Sequence, residues 1–107
     1  MTQFIFTYHG GQKPETPEAG KEAMEQWKTW AAGLGAALVN PGTPVGITKT
    51  LNATGISDQA SPHPLMGFSI LEAATMDDAL ELLKNCPHIH VIGGTLEVSE
   101  MMAMPEE

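Results

Sequence analysis

The sequence predicts an α+β domain in the order strand, helix, strand, strand, helix, strand, and three observations carry that prediction. Residues 2–8 and 65–73 are apolar on both alternating faces for most of their length, as central strands covered on both sides are. Thr16-Pro17-Glu18 and Thr75-Met76-Asp77-Asp78 each have the composition of a helix N-terminus, a hydroxyl cap followed by proline or acidic residues. Thr95-Leu96-Glu97-Val98-Ser99 alternates polar with apolar at the two-residue period of a half-buried strand.

The first strand, Thr2 to Tyr8, places Phe4, Phe6 and Tyr8 on one face and Ile5 and Thr7 on the other, and His9-Gly10-Gly11 ends it. A helix from Pro17 to about Gly33 or Gly35 then sets Ala23, Met24, Trp27, Trp30, Ala31 and Leu34 on one stripe that packs against a sheet. Ala37-Leu38-Val39 opens the second strand, and Asn40-Pro41-Gly42 signals a type II turn or a bulge. Val45 to Leu51 continues extended with Val45, Ile47 and Leu51 on one face. Residues 52–64 have no periodicity and read as one long loop, the kind of connection that carries function or is disordered. Leu65 to Ala73 is the third strand, and a second helix runs from Met76 to about Asn85 with Ala79, Leu80 and Leu83 on its buried stripe. Pro87 stops that helix, and the segment from Cys86 to Val98 supplies the fourth strand.

This is the split βαβ plan of a ferredoxin-like domain: a four-stranded antiparallel sheet with two helices on one face, spanning residues 1–100, before an acidic, Met-rich tail at 101–107. Each helix is expected to join two parallel neighbours by a right-handed crossover, leaving the first and third strands central. Ile5, Leu65 and Leu71 cannot all face the helices, so the uncovered face is expected to pair with a second copy of the chain, sheet against sheet, as a homodimer.

Thirteen acidic residues against five lysines, with no arginine, give a formal charge of −8. That balance repels nucleic acid and anionic lipid and removes the bidentate fork that grips phosphates. No apolar run approaches the length of a membrane span, the first residues lack a basic segment followed by an apolar one, and a single cysteine builds no disulfide framework. A cytoplasmic protein with neither nucleic-acid nor membrane partners is expected.

The Trp27 and Trp30 helix followed by Leu34-Gly35-Ala36-Ala37-Leu38-Val39-Asn40-Pro41-Gly42, the strand Met66-Gly67-Phe68-Ser69-Ile70-Leu71-Glu72-Ala73, and Asp78-Ala79 leading to Cys86-Pro87-His88 and Gly93-Gly94-Thr95-Leu96-Glu97-Val98 occur here in a familiar order. In these segments the chain resembles the YCII-related family, in particular its DGPF branch, across nearly its whole length. The resemblance implies a dimeric α/β barrel. It does not extend to the branch's Asp-Gly-Pro-Phe signature, in whose place stands Ser57-Asp58-Gln59-Ala60-Ser61-Pro62-His63-Pro64, and Ser99-Glu100 replaces the usual Arg-Pro after Val98.

His63 with Asp58 and Ser61 on the long loop forms the first candidate for acid–base work, because imidazole exchanges protons near neutral pH and a carboxylate orients it. Glu97 projects away from Leu96 and Val98, towards the expected inter-subunit space, as a further general base. Tyr8 and His9 at the end of the first strand, Trp30 on the helix, and His88 are expected to line a ligand cavity. His88 and His90, if extended, would share a side and hold a metal with His63 or Glu97; the reading preferred here assigns no metal, with His88 meeting the last carbonyls of the second helix. Trp27 is assigned to the core and Cys86 to a structural role. Together these readings point to a small dimeric enzyme or ligand-binding barrel. It would act by cofactor-free acid–base chemistry of lyase or isomerase type on a compact cyclic or aromatic metabolite. The alternative is a non-catalytic dimerisation module.

Overall fold

The computed structural model describes residues 1–11, 15–58 and 64–103. Strand β1 (Thr2–His9) leads to helix α1 (Pro17–Leu34), a short 3-10 turn at Gly35–Ala37, and strand β2 (Leu38–Pro44). A small hairpin of β3 (Thr50–Asn52) and β4 (Gly55–Ser57) precedes β5 (Leu65–Ala73), α2 (Met76–Leu83), the single helical turn α3 (Pro87–His90) and β6 (Thr95–Glu100). The main sheet has four strands in the order β2-β5-β1-β6, and each neighbouring pair is antiparallel. The two strands that α1 connects, β1 and β2, are therefore parallel but not neighbours, because β5 lies between them. The same holds for β5 and β6, separated by β1.

Local chemistry explains where the helices begin. The Thr16 hydroxyl accepts from the Ala19 amide at 3.0 Å, and the Thr75 hydroxyl accepts from the Asp78 amide at 3.1 Å, each satisfying one amide that the first helical turn leaves without a carbonyl. Phe4, Phe6 and Tyr8 alternate into the helix-covered side of β1 and meet Leu71 and Ala73 of β5, Ala79 and Leu83 of α2, and Cys86. Leu71 is fully buried on this side, opposite Phe4, whereas Ile5 and Ile70 pair on the other face. Leu80 does not join the buried stripe of α2: it stands 47% exposed, whereas Ala79 and Leu83 are buried and Met76 packs against the core beside them.

Two segments depart from the expected trace. The extended run from Val45 to Leu51 does not form: β2 ends at Pro44, and Ile47 is 95% exposed. The long loop instead contains the β3–β4 hairpin, whose turn is shaped by the Asn52 side chain accepting from the Thr54 amide at 2.9 Å and from its hydroxyl at 2.7 Å. Residues 87–90 are helical rather than extended, since Pro87 favours the first position of a helix and the Val91 amide closes the turn on the Pro87 carbonyl.

The strand β2 is broken by a bulge. Its register against β5 slips on either side of Asn40, and the Asn40 carboxamide accepts from the Gly42 amide at 2.8 Å. Gly42 has φ +70°, and a Cβ there would run into the Phe68 carbonyl, so only glycine fits. The bulge turns the Pro41 carbonyl back over the helix-covered side of the sheet, where it accepts from the buried Ser69.

Candidate functional site

A cleft of about 360 Å³ opens between α1, the end of β1, the β2 bulge and the α3 turn. Its walls are almost wholly apolar: Ala23 and Met24 from α1, Pro41 and Pro44 from β2, and Val91 and Ile92 after α3. Among the described residues four side chains with hydrogen-bonding groups line it, those of Tyr8, Trp27, Thr43 and His88.

Alternation along β1 brings Tyr8 here: it follows Phe4 and Phe6 on the helix side, and Gly67 opposite leaves room for its ring. The Trp27 indole N–H donates to the Tyr8 oxygen at 3.1 Å. Tyr8 and Ser69 are 2.9 Å apart, and the Ser69 hydroxyl donates to the Pro41 carbonyl at 2.7 Å. Because serine has one hydroxyl proton and a carbonyl can only accept, the Tyr8 hydroxyl is the donor to Ser69. The result is a one-way relay, Trp27 to Tyr8 to Ser69 to Pro41, joining α1, β1, β5 and β2. Burial raises the Tyr8 pKa, outweighing the opposing effect of its hydrogen bonds with Ser69 and Trp27, so the phenol stays protonated.

His88 is buried at 8% exposure and stands edge-on to Tyr8, ring centroids 5.4 Å apart. Its Nε2 lies 3.0 Å from the His9 carbonyl, which can only accept, so Nε2 carries the proton and Nδ1 is left with a lone pair in the neutral ring. Gly94 closes over this ring; a Cβ there would collide with the imidazole and with the His9 carbonyl.

The sequence-derived candidates separate into groups. Tyr8 and His88 meet in the cleft. His9 and Glu97 meet on the opposite face of the sheet: His9 Nε2 is 2.9 Å from the Glu97 carboxylate and 2.6 Å from the Thr7 hydroxyl, with the histidine side chain 13% exposed and the glutamate 71%. Tyr8 and His9, adjacent in sequence, thus serve different faces. Asp58 follows β4 and pairs with Lys49 at 3.1 Å, both well exposed, and neither borders the cleft. Ser61 and His63 lie outside the described residues.

Both tryptophans pack against the core: Trp30 stands edge-on to Phe6 at 6.3 Å and does not border the cleft, while Trp27 reaches both the core and the cleft wall. His90, not His88, meets the end of α2, its Nε2 lying 2.7 Å from the Lys84 carbonyl. The helical turn sends the two histidines to different partners, and among the described residues no group of three or more His, Cys, Asp or Glu is placed to hold a metal. Cys86 is fully buried in the core, and burial pushes its thiol up to about 11. Among the described residues no helix is long and apolar enough to cross a membrane.

Trp27, Ser69 and the Pro41–Gly42 bulge were not among the candidates. Ser69 carried a signal: by strand alternation it shares the core face with Leu71, and a hydroxyl so placed requires a buried partner. No family model matches this chain, and no curated protein matches it.

Proposed function

We propose that this chain is a small-molecule-binding protein of the dimeric α/β-barrel kind, similar to YCII-related proteins. In this reading the cleft beneath α1 takes a compact cyclic or aromatic metabolite and acts on it by cofactor-free acid–base chemistry. The observation that carries the reading is the cleft itself. At about 360 Å³ it has the size of a small-molecule site, and it combines apolar walls with a few oriented polar groups. His88 is the base: Nδ1 takes a proton from the bound molecule while Nε2–H stays on the His9 carbonyl, which stabilises the imidazolium that results. The dimer forms through the helix-free sheet face, where Ile5, Phe68 and Ile70 remain only half-buried in the single chain.

The test is binding of single-ring compounds, followed by Trp27 fluorescence and by thermal unfolding. A ligand at ~100 times its dissociation constant adds roughly 2.7 kcal/mol of stability. Ala23→Phe, which fills the cleft from α1, is expected to abolish both signals while leaving the far-ultraviolet spectrum unchanged. A panel that neither quenches Trp27 nor raises the melting temperature would transfer the assignment to a non-catalytic dimerisation module.

A further inference from the structure

We infer that the described side chains of the cleft offer a ligand acceptors and no free donor, and so select a neutral ring compound bearing a hydroxyl or amine that donates a hydrogen bond to His88 Nδ1. This rests on the reading of the cleft as a small-molecule site and narrows it to a class of ligand. Among the described residues every side-chain donor that lines the cleft is already committed within the protein. The Trp27 N–H goes to Tyr8, the Tyr8 hydroxyl to Ser69, the Thr43 hydroxyl to the Pro44 carbonyl at 3.1 Å, and His88 Nε2–H to the His9 carbonyl. Ser69, which stands behind Tyr8, is committed in turn to Pro41.

The capacity that remains is accepting capacity. Tyr8 retains the second lone pair of its oxygen, and His88 retains Nδ1. Among the described residues every fully buried side-chain nitrogen or oxygen has a partner; Nδ1 of His88 has none, so it is open, and the ring that carries it forms part of the cleft wall. Among the described residues no lysine lines the cleft, and the chain's formal charge is −8. At His88 Nδ1 and the Tyr8 oxygen a carboxylate would therefore meet lone pairs with lone pairs, and the described side chains there return no donor or cation for the water it loses. A ring with only an ether or carbonyl oxygen would fit by shape and bury that oxygen unpaired. A phenol, an alicyclic alcohol or an arylamine meets both requirements.

The experiment compares phenol, anisole, toluene and benzoate on the intact wild-type protein in slightly alkaline buffer, with dissociation constants from Trp27 fluorescence and calorimetry. Phenol is expected to bind about three- to tenfold tighter than anisole or toluene, the gain of one net hydrogen bond, and benzoate more weakly than any of them. In His88→Phe, which keeps a ring and removes the acceptor, the advantage of phenol over anisole is expected to disappear. Equal affinity for phenol and anisole, or tighter binding of benzoate, overturns the selection rule while leaving the cleft a ligand site. A phenol preference that persists in His88→Phe overturns the assignment to Nδ1. Should that variant fail to fold, the wild-type series alone decides the rule. Failure of all four compounds to bind overturns the small-molecule reading itself.

Discussion

Tyr8 carries more of this molecule than its single ring implies, because its hydroxyl is at once the acceptor for Trp27 and the donor to Ser69. Removing a member of a buried relay leaves its neighbours desolvated and unpaired. Ser69→Ala, which orphans the Pro41 carbonyl and the Tyr8 proton, is therefore expected to cost about 1–3 kcal/mol in urea unfolding. Tyr8→Phe is expected to cost a similar amount, and the double variant clearly less than the sum, since the two substitutions damage one network. Cys86 supplies a prediction in pH. Burial lifts its thiol from 9.0 to about 11, so the unfolded chain loses this proton first, and stability present below about pH 9 falls as pH rises towards 11. One such group gives a slope of at most about 1.4 kcal/mol per pH unit, and Cys86→Ala is expected to remove that contribution from the alkaline limb of a stability-against-pH profile. Tyr8, its pKa also raised by burial, steepens the same limb at its upper end.

At the level of elements, what could be read from the sequence was what neighbouring residues decide. The caps at Thr16 and Thr75 are local interactions, and they fixed the starts of α1 and α2. Thr75→Ala is expected to cost about 1 kcal/mol, seen as a lowered unfolding midpoint with an unchanged denaturant slope. The faces of β1 and β6 followed from alternation for the same reason. The β3–β4 hairpin escaped notice because Leu51 and Ile56 are exposed, so no buried face imprinted a period on it. The α3 turn is too short to show a helical one. The bulge in β2 was legible as Asn40-Pro41-Gly42, but its purpose was not, since the partner of the Pro41 carbonyl is Ser69 in another strand. Gly42→Ala is expected to destabilise the fold by more than 1 kcal/mol, because it combines an unfavourable positive φ with a collision at Phe68, and to reshape the cleft wall that the bulge provides.

For the molecule as a whole, the α+β class and the four-stranded antiparallel sheet were legible, and the composition of the cleft was legible only in part. Tyr8 and His88 could be nominated singly, but the cleft is assembled from residues that the chain alone does not relate, as the His88 contact with His9 across 79 positions illustrates. That Trp27, and not Trp30, also reaches the cleft wall depended on how α1 rolls against the sheet, which an apolar stripe of this width leaves open. The proposed dimer is tested at this scale: Ile70→Glu, on the half-buried open face, is expected to convert a sedimenting dimer to a monomer, and a monomeric wild type would refute the pairing. The irregular edge strand has one more consequence. Pro41 and Pro44 offer no amide proton along β2, and the kink at Gly42 twists that border out of plane. At the far border β6 presents Glu97 and Glu100. Neither margin is a template on which another chain could add strand by strand, so the molecule can leave its helix-free sheet face open without inviting fibrillar growth.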